Sequence, residues 1–232
     1  MLKEERTHFE SCMTRRERNE LLIYLPIHIG ILPALLSWVF YRFKGTPDDP
    51  IMILIYYLIG AVYVVMTCRK FFARNAQNAM EEPGNSFLSF LFGFLMILCM
   101  TLLLNFVKLK LGVLNLNANN NAALGMAEDN FLAVFLSAVL LAPLVEEPLF
   151  RGVLFGEIYK NSKVWAYVIS MLCFGLYHVW MPAMNDGWKE LLSIVDYLPA
   201  SFALAWTYEH SDSIWASVLI HMLVNALGLI TA

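Results

Sequence analysis

An all-α, polytopic membrane helix bundle is the fold class that this sequence predicts, with about seven transmembrane helices and a short N-terminal surface helix. Three observations lead to it. The 232 residues are 59% hydrophobic and only 15% charged, where a typical soluble domain has about a quarter of its residues charged. Mean hydropathy is +0.60. The apolar residues also come in long blocks rather than alternating with polar ones, which excludes a disordered chain and an ordinary soluble globule. A net charge of −3 offers no basic surface, so nucleic acid is not an expected partner and the lipid bilayer is.

A membrane-spanning helix needs about 20 predominantly apolar residues. Seven segments meet that requirement: Leu21–Tyr41, Ile51–Cys68, Ser86–Phe106, Phe131–Phe155, Val164–Met181, Leu191–Tyr208 and Ser213–Thr231. Turn-forming stretches separate them, such as Lys44 to Pro50 and Glu81 to Asn85. The longest polar stretch, Asn115 to Asn130, is rich in Asn and Ala and reads as an exposed loop. Residues 1–20 mix five basic with five acidic groups. They read as a cytoplasmic or interfacial segment, either a short helix on the membrane surface or a solvated tail, and are unlike a cleavable signal peptide. Residues 21–232 form the transmembrane domain. No span repeats another's motif, so the duplicated halves of many transporters are not in evidence.

Lys and Arg in alternate loops set the orientation. Ten lie on the N-terminal side (Lys3, Arg6, Arg15, Arg16, Arg18, Arg69, Lys70, Arg74, Lys160, Lys163) and five opposite (Arg42, Lys44, Lys108, Lys110, Lys189). This balance predicts a cytoplasmic N-terminus in a multi-pass protein of a cell membrane. Cys12, Cys68, Cys99 and Cys173 show no metal-ligand or disulfide spacing and read as inert thiols. The Met, Phe, Tyr and Trp residues read as packing or lipid-facing groups.

Ionisable side chains inside a bilayer are costly and mark function. Those left within the spans are few. The fourth span contains Glu146-Glu147-Pro148-Leu149-Phe150-Arg151, the fifth Phe174 and His178, the sixth Asp196, and the seventh His221 and Asn225. Glu147 and Arg151 are four apart and share a helix face, as do His221 and Asn225. Glu146 is turned by about 100° from Glu147 and can point into a cavity. At about 1.5 Å of rise per residue, Glu146, His178 and His221 lie roughly 22, 21 and 12 Å into their spans, so all three reach intermediate depth. Pro148 removes a backbone donor and is expected to kink the helix beside the glutamates. Gly175 lets a neighbouring backbone approach closely. Asp196 reads as lining a polar crevice.

This set suits hydrolysis of a peptide bond, which needs an activated water, a proton donor for the leaving amine and donors for the oxyanion. A desolvated Glu146 is the candidate base, with His178 holding the water. His221 and Asn225 offer N–H donors for an oxyanion, where one donor is worth about 3 kcal/mol. Glu147 and Arg151 would fix the helix. No G-x-S-x-G, H-E-x-x-H or paired aspartates support a serine, zinc or aspartyl protease. A divalent metal such as zinc on Glu146, His178 and His221 is compatible with the donor types but not favoured, and no cofactor is expected. A proton-coupled transporter and a non-catalytic immunity or scaffold protein are the alternative classes.

The motifs E-E-x-x-x-R (Glu146, Glu147, Arg151), F-x-x-x-H (Phe174, His178) and H-x-x-x-N (His221, Asn225) resemble, in order and spacing, those of the CAAX-protease and bacteriocin-processing (CPBP, or Abi) family. The resemblance covers roughly residues 130–230. It implies a glutamate-dependent intramembrane endopeptidase in which Glu146 and His178 activate water while His221 and Asn225 stabilise the oxyanion. The implied substrate is a small membrane-associated peptide or protein, and the short chain looks more like a bacterial member.

Overall fold

The computed structural model describes residues 9–44, 50–112 and 117–231, and every regular element among them is helical. Seven long helices follow in order: α1 (Arg15–Phe43), α2 (Pro50–Glu81), α3 (Pro83–Lys110), α4 (Ala118–Tyr159), α5 (Lys163–Asp186), α6 (Ile194–Ser211) and α7 (Ile214–Thr231). A 3-10 turn, Trp188–Ser193, leads into α6. All but α6 are long and apolar enough to cross a membrane. Helix α6 carries Asp196, Glu209 and His210 and packs among α3, α5 and α7, so most of its surface meets protein rather than lipid. The large apolar side chains left uncovered, among them Leu102, Leu103 and Phe106 on α3, are those a bilayer would solvate.

Helix α1 starts at a capping box. Glu17 N donates to Thr14 Oγ1 at 3.3 Å, and Thr14 N donates to Glu17 Oε2 at 2.8 Å. Residues 15–20 are therefore the first turns of a helix continuous with the first span. Ahead of it, Phe9 sets its ring edge-on against Tyr159 and Tyr208, with centroids 5.2 and 4.9 Å apart, and Ser11 lies 3.0 Å from the Tyr208 hydroxyl. This part of the N-terminal segment is docked on the bundle. Residues 1–8 lie outside the described residues, as do 45–49 of the first link.

The stretch read as an exposed loop, 115–130, is largely helix from Ala118 onward, while 113–116 lie outside the described residues. The alanines favour helix, and the asparagines serve as caps at both breaks. Asn117 Oδ1 accepts from Asn120 N at 3.1 Å. Asn130 leaves helical geometry (φ −153°, ψ 83°), and its Oδ1 accepts from Ala133 N at 3.1 Å. The spanning part of α4 thus begins where the apolar sequence begins, at Phe131.

Proline shapes the helices by widening turns. Segments Ile27–Ile31, Phe135–Leu141 and Pro148–Phe155 are π-helical. Pro33 and Pro143 each follow such a segment by two residues, and Pro148 opens the third. A proline ring clashes with the carbonyl four residues back, and a wider turn moves that carbonyl away. Next to the glutamates the expected kink is therefore realised as a π-helical run.

Glycines set two close approaches. Gly175 on α5 sits against Ile194 at the start of α6, where an added Cβ would lie 2.5 Å from its side chain. Gly93 on α3 faces Thr207 of α6, where a Cβ would lie 1.9 Å from the hydroxyl oxygen. Replacing Gly93 by Leu is expected to destabilise the bundle by about 1–3 kcal/mol through overpacking. Gly84→Ala, with nothing within 4 Å of the new Cβ, should leave stability unchanged or slightly raised. Thermal unfolding in detergent separates the two.

Candidate active site

The fourth span brings two adjacent carboxylates into the centre of the bundle, with Glu146 1% and Glu147 0% exposed. Consecutive residues on a helix diverge by about 100°, and the two face different partners. Glu147 turns toward Arg151, whose Nη1 donates to its Oε1 at 3.1 Å. Arg151 is also fully buried, its Nη2 reaching the Ser201 carbonyl on α6 at 3.3 Å. The guanidinium lies 4.2 Å from the centroid of the Phe174 ring on α5. One arginine thereby joins α4, α5 and α6. Glu147 Oε1 further meets Nδ1 of His221, on α7, at 2.7 Å. That contact fixes the imidazole plane and turns its Nε2 toward Glu146.

Glu146 Oε2 lies 3.7 Å from Nε2 of His178 and 3.7 Å from Nε2 of His221. These distances are too long for direct hydrogen bonds, and among the described residues this oxygen has no hydrogen-bond partner. The other oxygen, Oε1, accepts from the Tyr57 hydroxyl of α2 at 2.9 Å. His178 is sandwiched by aromatics. It stacks on Tyr197 of α6 at 4.5 Å and 6°, and meets Phe174 edge-on at 4.7 Å.

The sequence-derived residues are therefore brought together in two ways. Glu146, His178 and His221 share one polar focus, and Glu147 with Arg151 braces it. Asn225, one turn beyond His221, is engaged elsewhere: its Nδ2 donates to the Ala138 carbonyl at 2.8 Å, within the π-helical part of α4. Its amide hydrogen bond ties α7 to α4. Asp196 sits in a polar crevice with Lys108 Nζ at 2.8 Å and Asn117 Nδ2 at 3.4 Å. Among the described residues no three His, Cys, Asp or Glu side chains are arranged to hold a metal ion. All four cysteines are free.

Three tyrosines adjoin the focus that the sequence reading took as packing groups: Tyr57, Tyr177 and Tyr197. The signal for them was the hydroxyl itself, since a Tyr in mid-span must find a hydrogen-bond partner.

Fold and site together define a multi-pass, all-α integral membrane protein with a buried carboxylate–histidine centre. Residues 128–227 match the family model described as type II CAAX prenyl endopeptidase Rce1-like. Three proteins of Lactococcus lactis are similar to the chain. The UPF0177 protein YxdF is 35% identical over 38% of this chain and 44% of its own length. The UPF0177 protein YaiH is 33% identical over 40% of this chain and 35% of its own length. The UPF0177 protein YvdC is 24% identical over 87% of this chain and 73% of its own length. The matched region thus spans less than half the length of the first two. No solved structure matches. The family model covers less than half of the chain, over the same stretch that carries the three motifs.

Removing one partner of a buried ion pair leaves a stranded charge, at a cost of about 3–5 kcal/mol. Arg151→Leu is expected to show that loss in denaturant or SDS unfolding. Adding Glu147→Gln should recover part of it, because the stranded charge is then gone.

Proposed function

We propose that this protein is an intramembrane endopeptidase that hydrolyses a peptide bond in a small membrane-associated peptide or protein. The observation that carries the reading is Glu146 Oε2, without a hydrogen-bond partner among the described residues and equidistant from the Nε2 atoms of two histidines on two other helices. A carboxylate oxygen in that setting is placed to take a proton from a water held by His178 Nε2. The resulting hydroxide attacks the scissile carbonyl carbon and the carbonyl electrons move onto its oxygen; as they return, the C–N bond breaks and Glu146 passes its proton to the leaving amine. His221, oriented through Nδ1 by Glu147, serves as oxyanion donor when Nε2 carries a proton. Asn225 takes the same role through the second N–H of its amide, the first being held by the Ala138 carbonyl. That first bond holds α7 against α4. The reaction consumes one water and needs no cofactor.

Support also comes from the similarity of residues 128–227 to an endopeptidase family. The similar Lactococcus proteins and the Lys/Arg asymmetry favour a bacterial cell membrane with the N-terminus in the cytoplasm. Substrate enters from the lipid or from one of its faces, and a prenylated and an unmodified peptide are both compatible with the chemistry.

Glu146→Gln keeps size and removes the base. Wild type and variant reconstituted in liposomes with a library of membrane-associated peptides should differ in the new peptide termini seen by mass spectrometry. Wild type is expected to produce them, and the folded variant to lose about two to four orders of magnitude in rate, the scale on which proton-transfer groups act. Equal cleavage by both would remove Glu146 from the chemistry.

A further inference from the structure

We infer that Tyr57, on α2 and outside the motif-bearing half of the chain, is a positioning residue for Glu146, held in turn by a hydrogen-bonded chain that ends at His28 of α1. This rests on the reading of Glu146 as the base.

The terminal torsion of a glutamate is broad and roughly two-fold, so the side chain alone does not fix its carboxylate plane. The Tyr57 hydroxyl fixes it by occupying Oε1 at 2.9 Å, which leaves Oε2 aimed at the two histidines. A hydroxyl has one proton, and that of Tyr57 is committed to Glu146. Toward Tyr177, 3.3 Å away, Tyr57 therefore accepts, and the Tyr177 proton points at it. The Tyr177 oxygen then accepts from His28 Nε2, 3.2 Å away. Tyr56 donates to the His28 carbonyl at 3.0 Å and so likewise accepts from Nε2, at 2.9 Å. His28 thus carries its proton on Nε2, while Nδ1 accepts from the Tyr24 hydroxyl at 3.2 Å. In this placement, assigned by satisfying each group, the single Nε2 proton is shared between the Tyr56 and Tyr177 oxygens and each hydroxyl proton is used once.

All donors from His28 onward point toward Glu146, and such a chain polarises each successive bond. His28 is 0% exposed and sits in the π-helical segment Ile27–Ile31. An imidazole buried that deeply among four tyrosines has no packing advantage over an apolar side chain. Its two nitrogens orient the hydroxyls. The first two helices, which carry no motif, complete the site in this way.

Tyr57→Phe keeps the ring and deletes the donor, and Tyr177→Phe breaks the next link. Tyr63→Phe is the control, because Tyr63 is outside the chain: its ring stacks on Tyr24 and its hydroxyl reaches only the Glu20 carbonyl, 3.5 Å away. Two readouts are needed. Infrared difference spectra of the reconstituted proteins give the carboxyl band of Glu146, identified by its absence in Glu146→Gln. On whichever library peptide wild type cleaves, Tyr57→Phe is expected to lower kcat about 10- to 100-fold, the scale of a hydrogen bond to a charged group. KM should stay within about threefold, as expected when the lost hydrogen bond orients the base and does not hold the substrate. Tyr177→Phe should act in the same direction and less strongly, and Tyr63→Phe should match wild type.

The Glu146 band is expected to move in Tyr57→Phe. An unmoved band overturns the inference whatever happens to the rate, and a moved band with wild-type kcat overturns the positioning role. Absence of cleavage by wild type overturns the protease reading instead, and the band alone then decides whether Tyr57 orients Glu146.

Discussion

Two neighbouring carboxyl side chains buried in a membrane bundle are the constraint on which the rest of the structure depends. An ionised carboxylate removed from water is tolerated only with charge compensation and hydrogen bonds. Glu147 receives both from Arg151 and His221. Both contacts fall on Glu147 Oε1, while Glu147 Oε2 and Arg151 Nε have no hydrogen-bond partner among the described residues, and the arrangement recruits α5, α6 and α7 around it. Glu146 has a different settlement. One oxygen is tied by Tyr57, and the other is left toward two imidazoles. The first glutamate is kept available because the second carries the structural charge pair.

The backbone around the pair is correspondingly irregular. Helix α4 contains two π-helical runs, one on each side of Ala142–Glu147. Irregular backbone at membrane depth persists only where protein satisfies the freed groups. Here the Ala138 carbonyl is taken by Asn225, and the Phe150 carbonyl lies 3.5 Å from Ser170 Oγ. Asn225 is thus explained as a tether for the helix that carries the glutamates, and it stands one turn from a histidine of the same site.

Much of this was legible in the sequence because the bilayer makes polar residues conspicuous. Glu146, Glu147, Arg151, His178 and His221 stood out as ionisable groups within apolar spans, and the structure brings them together. The start of the fourth span was legible from Phe131, although the helix preceding it was hidden by asparagines that act as caps rather than loop residues. The sixth segment reads as a span of ordinary composition, yet α6 owes its place to packing among α3, α5 and α7. Tyr57, Tyr177 and His28 were not legible as a unit, since they lie on three helices up to 149 positions apart. No spacing rule connects such residues. Tyrosine also serves equally well as a packing group, and only the partner of its hydroxyl distinguishes the roles.

The central claim is that a water activated between Glu146 and His178 attacks the substrate directly. Single-turnover cleavage in 18O-labelled water, followed by mass spectrometry of both product and protein, tests it most directly. Direct attack by water places one 18O atom in the new carboxyl terminus of the product and none in Glu146. Label in the Glu146 side chain would contradict it, because the carboxylate would then have acted as a nucleophile through an acyl intermediate and not as a base.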